Sequence, residues 1–201
     1  LLEGGCPQIC ALHLTQCAGD PRLVGTWQDS NSSNPTRTTV RFMNDSTYTS
    51  YSATTITGTY DAAGTQMTLT PDGKGVQFKA TYYVSQDGQK MQLNAFLPSG
   101  HHSGVTGTWC TDSAQSQLDP KGQVTGTHVS QMCLLFQPEG RLVHHATSDG
   151  KPPIELVGSY SPLGGNRYSV SITSPNYSLM GTATVLDDAA LVLGDPYQRI
   201  N

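Results

Sequence analysis

Short runs of alternating apolar and polar residues, separated by turn-forming pairs, carry the chain from residue 22 almost to its end. A period of two over four to eight residues is the signature of a half-buried strand. The pattern predicts strands over 23–29, 37–44, 46–54, 56–61, 66–71, 75–85 and 89–97. A second series is expected near 105–111, 123–129, 131–137, 141–147, 154–160, 167–173, 177–185 and 189–194. Asp72-Gly73 and Asp87-Gly88 are strong hairpin signals between such runs. In Val76 to Val84 the alternation is clear and then blurs at Tyr82-Tyr83, which suggests a long strand with one buried face and a bulge. Pro152-Pro153 belongs to a loop or a strand edge. The connection from Thr111 to Gln131 is long, with room for a small extra hairpin around Gly122 to Thr127. One credible helix precedes all this: Pro7 suits a first helical position, Gly19 a C-terminal stop, and Asp20-Pro21 closes the segment.

The runs come in two matching sets. Leu23-Val24-Gly25-Thr26-Trp27 returns as Val105-Thr106-Gly107-Thr108-Trp109. Thr57-Gly58-Thr59-Tyr60 returns as Val157-Gly158-Ser159-Tyr160, and between the landmarks Val40 to Ser46 sets against Leu134 to Gly140. Internal similarity at a fixed spacing is read before any other fold signal. It divides the chain into a cysteine-bearing helix over 1–22, a first β unit over 23–99 and a second over 105–201, joined by the short polar stretch 98–104. The expected class is all-β: two tandem antiparallel barrels, or one merged barrel or sandwich built from both. Full closure removes the sheet edges that long β-chains must otherwise protect.

Gly-Thr-Trp opening a strand, strand–turn–strand around Phe42 and Phe136, and Gly-x-Tyr ending at Tyr60 and Tyr160 together resemble the small lipocalin-like (calycin-type) barrels of bacterial envelope proteins. The motifs cover about a third of each unit. The resemblance implies that Trp27 and Trp109 pack across the closed end of a barrel. It also implies a carrier of a small apolar ligand, with Trp27, Tyr60, Trp109 and Tyr160 as candidate interior residues. A weaker likeness to avidin-like barrels rests on the same Gly-Thr-Trp strands and on Val124-Thr125-Gly126-Thr127. That family stacks biotin on further tryptophans from later strands, and Trp27 and Trp109 are the only two here.

Composition narrows the partners. Charged residues make up 13% of 201 and the net charge is −4, so nothing resembles the basic stripe that nucleic acid requires. No run approaches the 18 or so apolar residues of a membrane helix. Leu1 opens the chain without a methionine or a basic leader, as expected after removal of a signal peptide or at a boundary chosen for expression. Five cysteines lean towards an oxidising, extracytoplasmic compartment, whether secreted, periplasmic or cell-surface. Sequons at Asn31, Asn44 and Asn176 are read as chance occurrences in a Ser- and Thr-rich chain.

The cysteines carry the sharpest local expectations. Side chains alternate along a strand, so Cys110 faces away from Trp109, and Cys133, three residues before Phe136, also faces away from the core. A disulfide Cys110–Cys133 is expected; the corresponding residues of the first unit are Gln28 and Thr39. In a helix Cys6, Cys10, His13 and Cys17 fall within an arc of about 60°. Thiolate and imidazole suit zinc or copper, but Cys6 and Cys17 would lie ~16 Å apart, so all four cannot meet at one metal. A disulfide among Cys6, Cys10 and Cys17, a bond through the odd cysteine to a second copy or another envelope protein, metal binding and core packing all remain open. Neighbours in a strand point to opposite faces, so neither His101-His102 nor His144-His145 can chelate through both rings. Both pairs read as solvated or edge histidines. No Gly-x-Ser-x-Gly, His-Glu-x-x-His or phosphate loop is present. The function expected first is therefore non-enzymatic and structural or adhesive, with no cofactor; a carrier of a small apolar ligand comes second, and metal handling through the N-terminal stripe third.

Overall fold

The computed structural model describes residues 19–30, 37–73, 75–175 and 177–200. The helix expected over 1–22, with Cys6, Cys10, His13 and Cys17, lies outside the described residues up to position 18, as do the sequons at Asn31 and Asn176. From Gly19 onward the chain is β throughout, with two short 3-10 turns at Pro21–Leu23 and Pro138–Gly140. The first seven strands are β1 (Gly25–Asp29), β2 (Thr39–Phe42), β3 (Thr47–Tyr51), β4 (Thr55–Ala63), β5 (Gln66–Pro71), β6 (Phe78–Val84) and β7 (Lys90–Leu93). Then follow β8 (Leu97–Pro98), β9 (Gly107–Leu118), β10 (Val124–Phe136), β11 (Arg141–Ser148), β12 (Lys151–Gly164), β13 (Arg167–Ser174), β14 (Tyr177–Leu186), β15 (Ala190–Leu193) and β16 (Tyr197–Ile200).

Strands β1 to β7 pair in sequence order, and β16 fits between β7 and β1. The result is a closed antiparallel barrel of eight strands around one core, with Trp27, Phe42, Met67 and Met91 inside. Strands β9 to β15 likewise pair in order, over a separate core that holds Trp109, Phe136, Leu142 and Ile172. Strand β8 pairs with β9, and just before it Phe96 exchanges both backbone hydrogen bonds with Leu191 of β15. The two groups share one continuous hydrogen-bonded sheet, because Phe78 to Ala80 of β6 pair with β9.

The closing strands cross over. The segment after β7 runs to β9 and β15, whereas the segment after β15 runs to β1 and β7. So the stretch assigned to a second unit, 105–201, gives its last strand to the first barrel. No strand was expected at 197–200. Tyr-Gln-Arg-Ile after Asp195-Pro196 is too short and too polar to show an alternation, and its pairing is supplied by distant partners.

Other departures have local causes. The runs 123–129 and 131–137 form a single strand, because Ser130 keeps the ladder to Ser113 and Ser148 instead of breaking it. Correspondingly β9 extends to Leu118, and the long connection shrinks to a turn on Asp119, whose carboxylate accepts from the Lys121 and Gln123 backbone N–H groups. Pro152-Pro153 lie within β12, in the part paired with β11 before β13 joins at Gly158, so a missing N–H is tolerated there. The blur at Tyr82-Tyr83 is not a bulge. Register runs through β6 without a shift, and its outer face is covered by the other half of the molecule. Thr81 is buried, accepting from the Asp112 N–H and donating to the Asp112 carbonyl, while Tyr83 donates to Asp187.

Candidate functional site

The two tryptophans occupy matching positions, and both are structural. Each indole is fully buried and donates from Nε1 to the carbonyl four residues earlier, Leu23 for Trp27 and Val105 for Trp109, at 2.7 Å in both cases. Phe42 meets Tyr60 edge-on at 4.9 Å, and Phe136 meets Tyr160 edge-on at 5.0 Å. The Tyr60 hydroxyl donates to Met43, and that of Tyr160 to Gln137. A cation or imidazole covers each indole: Arg199 lies 4.5 Å over Trp27, and His102 lies 4.8 Å from Trp109. Gly25 (φ 145°) and Gly107 (φ 135°) make room for these caps. A Cβ at Gly25 would come within 2.9 Å of the Arg199 guanidinium, and one at Gly107 within 2.7 Å of the His102 Cβ. Trp27 and Tyr60 fill the core of the first barrel, Trp109 and Tyr160 plug that of the second half, and none of the four lines the cavity described next.

That cavity, of about 470 Å³, opens among β9, β10, β11 and β15. Register places it one row beyond the plug: Trp109 aligns with Leu134 and His144, the next row is Thr111, Met132 and Ala146, and the row after is Ser113, Ser130 and Ser148. Alternation turns the second and third rows inward with Trp109. Apolar surface comes from Met132, Ala146, Leu193 and Phe96. The far wall is Gln92 to Asn94 of the first half, where the chain leaves β7 to cross over.

Polar atoms at this site lack partners. Gln92 donates its Nε2 to the Leu93 carbonyl at 2.8 Å, which fixes the amide orientation and leaves buried Oε1 unsatisfied. Thr111 Oγ1 is also buried without a partner. The Ser113 and Ser130 hydroxyls share one hydrogen bond at 2.8 Å, in which one donates and the other accepts. In the plug row His144 is 2% exposed, has neither ring nitrogen hydrogen-bonded, and stacks on Tyr177 at 5.1 Å and 11°. Burial, helped by neighbouring His145, lowers its pKa below the usual imidazole value of 6.5. Orphaned buried polar atoms cost free energy. No Asp, Glu, Lys, Arg or His lines the cavity.

Cys110 and Cys133 are directly opposed across β9 and β10 and form a disulfide, with Cα atoms 4.1 Å apart. Gln28 and Thr39 are directly opposed in the same way across β1 and β2. The bond ties together the two strands of the β9–β10 wall. Histidines read as solvated are in part interior: His144 is buried, and His102 caps Trp109 while its Nε2 contacts the Asp188 carbonyl at 3.0 Å. Alternation alone held the clue to His144, because it shares parity with the core residue Leu142. Gln92 and Thr111 left no signal, since isolated Gln and Thr on strands are ordinary surface residues.

Among the described residues no group of three or more His, Cys, Asp or Glu is placed to hold a metal ion, and no helix is long and apolar enough to cross a membrane. The metal expectation for Cys6, Cys10, His13 and Cys17 lies outside those residues. No protein-family model, no curated protein and no solved structure matches the chain.

Proposed function

We propose that the protein is a non-enzymatic, extracytoplasmic carrier that holds one small, largely apolar molecule in the cavity beyond Trp109. In this reading the chain is a duplicated calycin-type module whose second copy, β8 to β15, also closes as a barrel. One observation carries the proposal: a cavity of about 470 Å³ in which the apolar side chains of Leu93, Phe96, Met132, Ala146 and Leu193 stand among uncharged polar ones. The size and the mixture of apolar with uncharged polar groups suit a small-molecule site. The first barrel, by contrast, is filled by Trp27, Phe42, Tyr60, Met67 and Met91 and serves as scaffold. The disulfide Cys110–Cys133 favours an oxidising compartment.

The fluorescent amine N-phenyl-1-naphthylamine tests the carrier reading, because it is neutral, apolar and bright only when desolvated. Saturable enhancement at one probe per chain is expected, and Ala146→Phe, which fills the second cavity row, should abolish it while leaving the far-UV spectrum unchanged. Enhancement that is absent, or equal in wild type and Ala146→Phe, removes the proposal. A structural or adhesive role through the sheet surfaces is the second reading. Its support is the exposed apolar residues on the long outer strands, among them Ile154, Val157 and Met180.

A further inference from the structure

We infer that mild acid releases the bound molecule by loosening the second half of the protein, through protonation of His144; the inference rests on the carrier reading above. The histidines are divided unevenly between the halves. None falls between residues 14 and 100 or in β16, so the first barrel lacks the side chain that titrates nearest to neutral pH. His101 and His102 lie in the connection before β9, His128 on β10, and His144 and His145 on β11. Strands β9, β10 and β11 are walls of the cavity.

Four of these five can take up a proton at little cost. His101 and His145 are exposed. His102 Nε2 already faces the Asp188 carbonyl at 3.0 Å and its carboxylate at 3.6 Å, so an added charge meets acceptors. His128 shares a hydrogen bond with the Ser148 hydroxyl at 2.9 Å, and an imidazolium still donates to a hydroxyl. His144 differs, being buried with neither ring nitrogen hydrogen-bonded. It stands opposite Leu134 on β10 and Leu156 on β12, with the ring of Tyr177 from β14 stacked on it. Tyr160 of β12 and Tyr168 of β13 are the other titratable side chains packed into this core, and a phenol supplies no negative charge below pH 8. Among the described residues the core contains no acidic side chain. His145 and Glu155, opposed across β11 and β12, point to the outer face. A protonated His144 would therefore hold a charge and two N–H donors with no acceptor in place.

Burial first, and His145 second, lower the pKa of the folded His144 below 6.5, so the proton binds more readily once the core has opened. The closed core is at full strength above about pH 6.5 and weakens as the pH falls below it. The row that holds His144, with Trp109 and Leu134, is followed on the same three strands by Thr111, Met132 and Ala146, which line the cavity. Strands that part at the first row cannot keep their spacing at the second. A ligand held only by the closed form then binds in proportion to the closed fraction. The first barrel, with its separate core, stays closed.

The test is titration of the full chain with N-phenyl-1-naphthylamine, which stays neutral throughout, at pH 7.5 and at pH 5. Wild-type affinity is expected to fall about threefold or more between the two. His144→Phe keeps a ring against Tyr177 and cannot take a proton. It should bind as wild type at pH 7.5 and lose less than about 1.5-fold at pH 5. Hydrogen exchange of the wild-type chain, expressed as protection factors, needs no variant and decides the matter if His144→Phe does not fold. Protection in β10 to β12 should drop at pH 5 while that in β2 to β5 holds. Equal wild-type affinity at the two pH values, an equal loss in His144→Phe, or an equal loss of protection in both halves overturns the switch while the carrier reading stands. Failure of the probe to bind the wild-type protein at pH 7.5 overturns both.

Discussion

Arg199, third residue of the last strand, locks the first barrel, and Arg199→Ala should loosen that half before the other. Its Nε donates to the Gly88 carbonyl at 2.8 Å, Nη1 to Val24 at 3.0 Å, and Nη2 to Arg22, while the guanidinium lies 4.5 Å over Trp27. A charge-assisted hydrogen bond contributes roughly 1.5–3 kcal/mol when buried. The Gly88 and Val24 bonds are only partly buried, so ~1 kcal/mol each is the fair figure, and the exposed Arg22 bond contributes close to nothing. The stacked cation adds about 1 kcal/mol. The expected loss is ~3 kcal/mol, a large fraction of the roughly 5–15 kcal/mol that holds a typical domain. Arg199→Lys should recover about 1 kcal/mol, since one ammonium cannot span three carbonyls. Each half carries one tryptophan, so urea denaturation in a Trp109→Phe background reads the first barrel and in a Trp27→Phe background the second. The Trp27 signal should shift to lower urea, ahead of the Trp109 signal. A loss below about 0.5 kcal/mol, or one confined to the Trp109 signal, refutes the lock.

Further outcomes follow from other contacts. Tyr60→Phe and Tyr160→Phe each remove one hydroxyl bond, to Met43 and Gln137, so each should cost about 1 kcal/mol; a difference beyond about 1 kcal/mol between them in chemical denaturation argues against matched plugs. Reducing Cys110–Cys133, which closes 23 residues of sequence, should cost about 3 kcal/mol in the chain-entropy picture, less if the β9–β10 hairpin persists in the unfolded chain. Calorimetry with and without a thiol reductant measures it, and Cys110→Ser/Cys133→Ser should lose that part of the reductant effect. His144 has a lowered pKa in the folded state, so the unfolded chain binds more protons between that value and 6.5. Stability is then full above about pH 6.5 and falls as the pH drops below it; Tyr177 faces the ring and His145 points to the opposite side. His144→Leu should flatten this part of a melting-temperature profile, and an unchanged slope would show that other groups set it.

Much of the fold was legible because β architecture writes its own period. Strand positions within each half, the two hairpins at Asp72-Gly73 and Asp87-Gly88, and the cross-strand pairing of Cys110 with Cys133 all follow from alternation and turn chemistry. Alternation is a local signal, and the misses share that origin. Strand β16 has no pattern of its own, and its four residues are held by β1 and β7, more than 100 residues away in sequence. Thr81 reads as an outward residue and is buried because the outer face of β6 is covered by the other half. The aromatic residues singled out for ligand contact are packed in the two cores and do not line the cavity. Large rings on the Gly-x-Trp strands pack the two cores, and the cavity is lined by residues no motif announces.

The crossing of the closing strands explains why the cavity lies where it does. After Leu93 the chain turns at Asn94, which adopts a positive φ of 56°, and Gly194 does the same after Leu193 with φ 84°. At both points the chain leaves its own half and completes the other: Phe96 bridges Leu191, and Tyr197 pairs with Met91. Phe96 therefore enters the second core, and Gln92 and Asn94 are drawn against the opening between β9 and β15. A sequential arrangement, with each half closed by the segment that follows its own seventh strand, would remove Phe96 from that wall. Separate expression of 19–104 and 95–201 would accordingly give a first half lacking β16 and a second half whose cavity has lost Gln92, Leu93 and Asn94. Mixing the two pieces should restore the probe site that neither holds alone, and a site already complete in the second piece would show that the crossing is incidental to it.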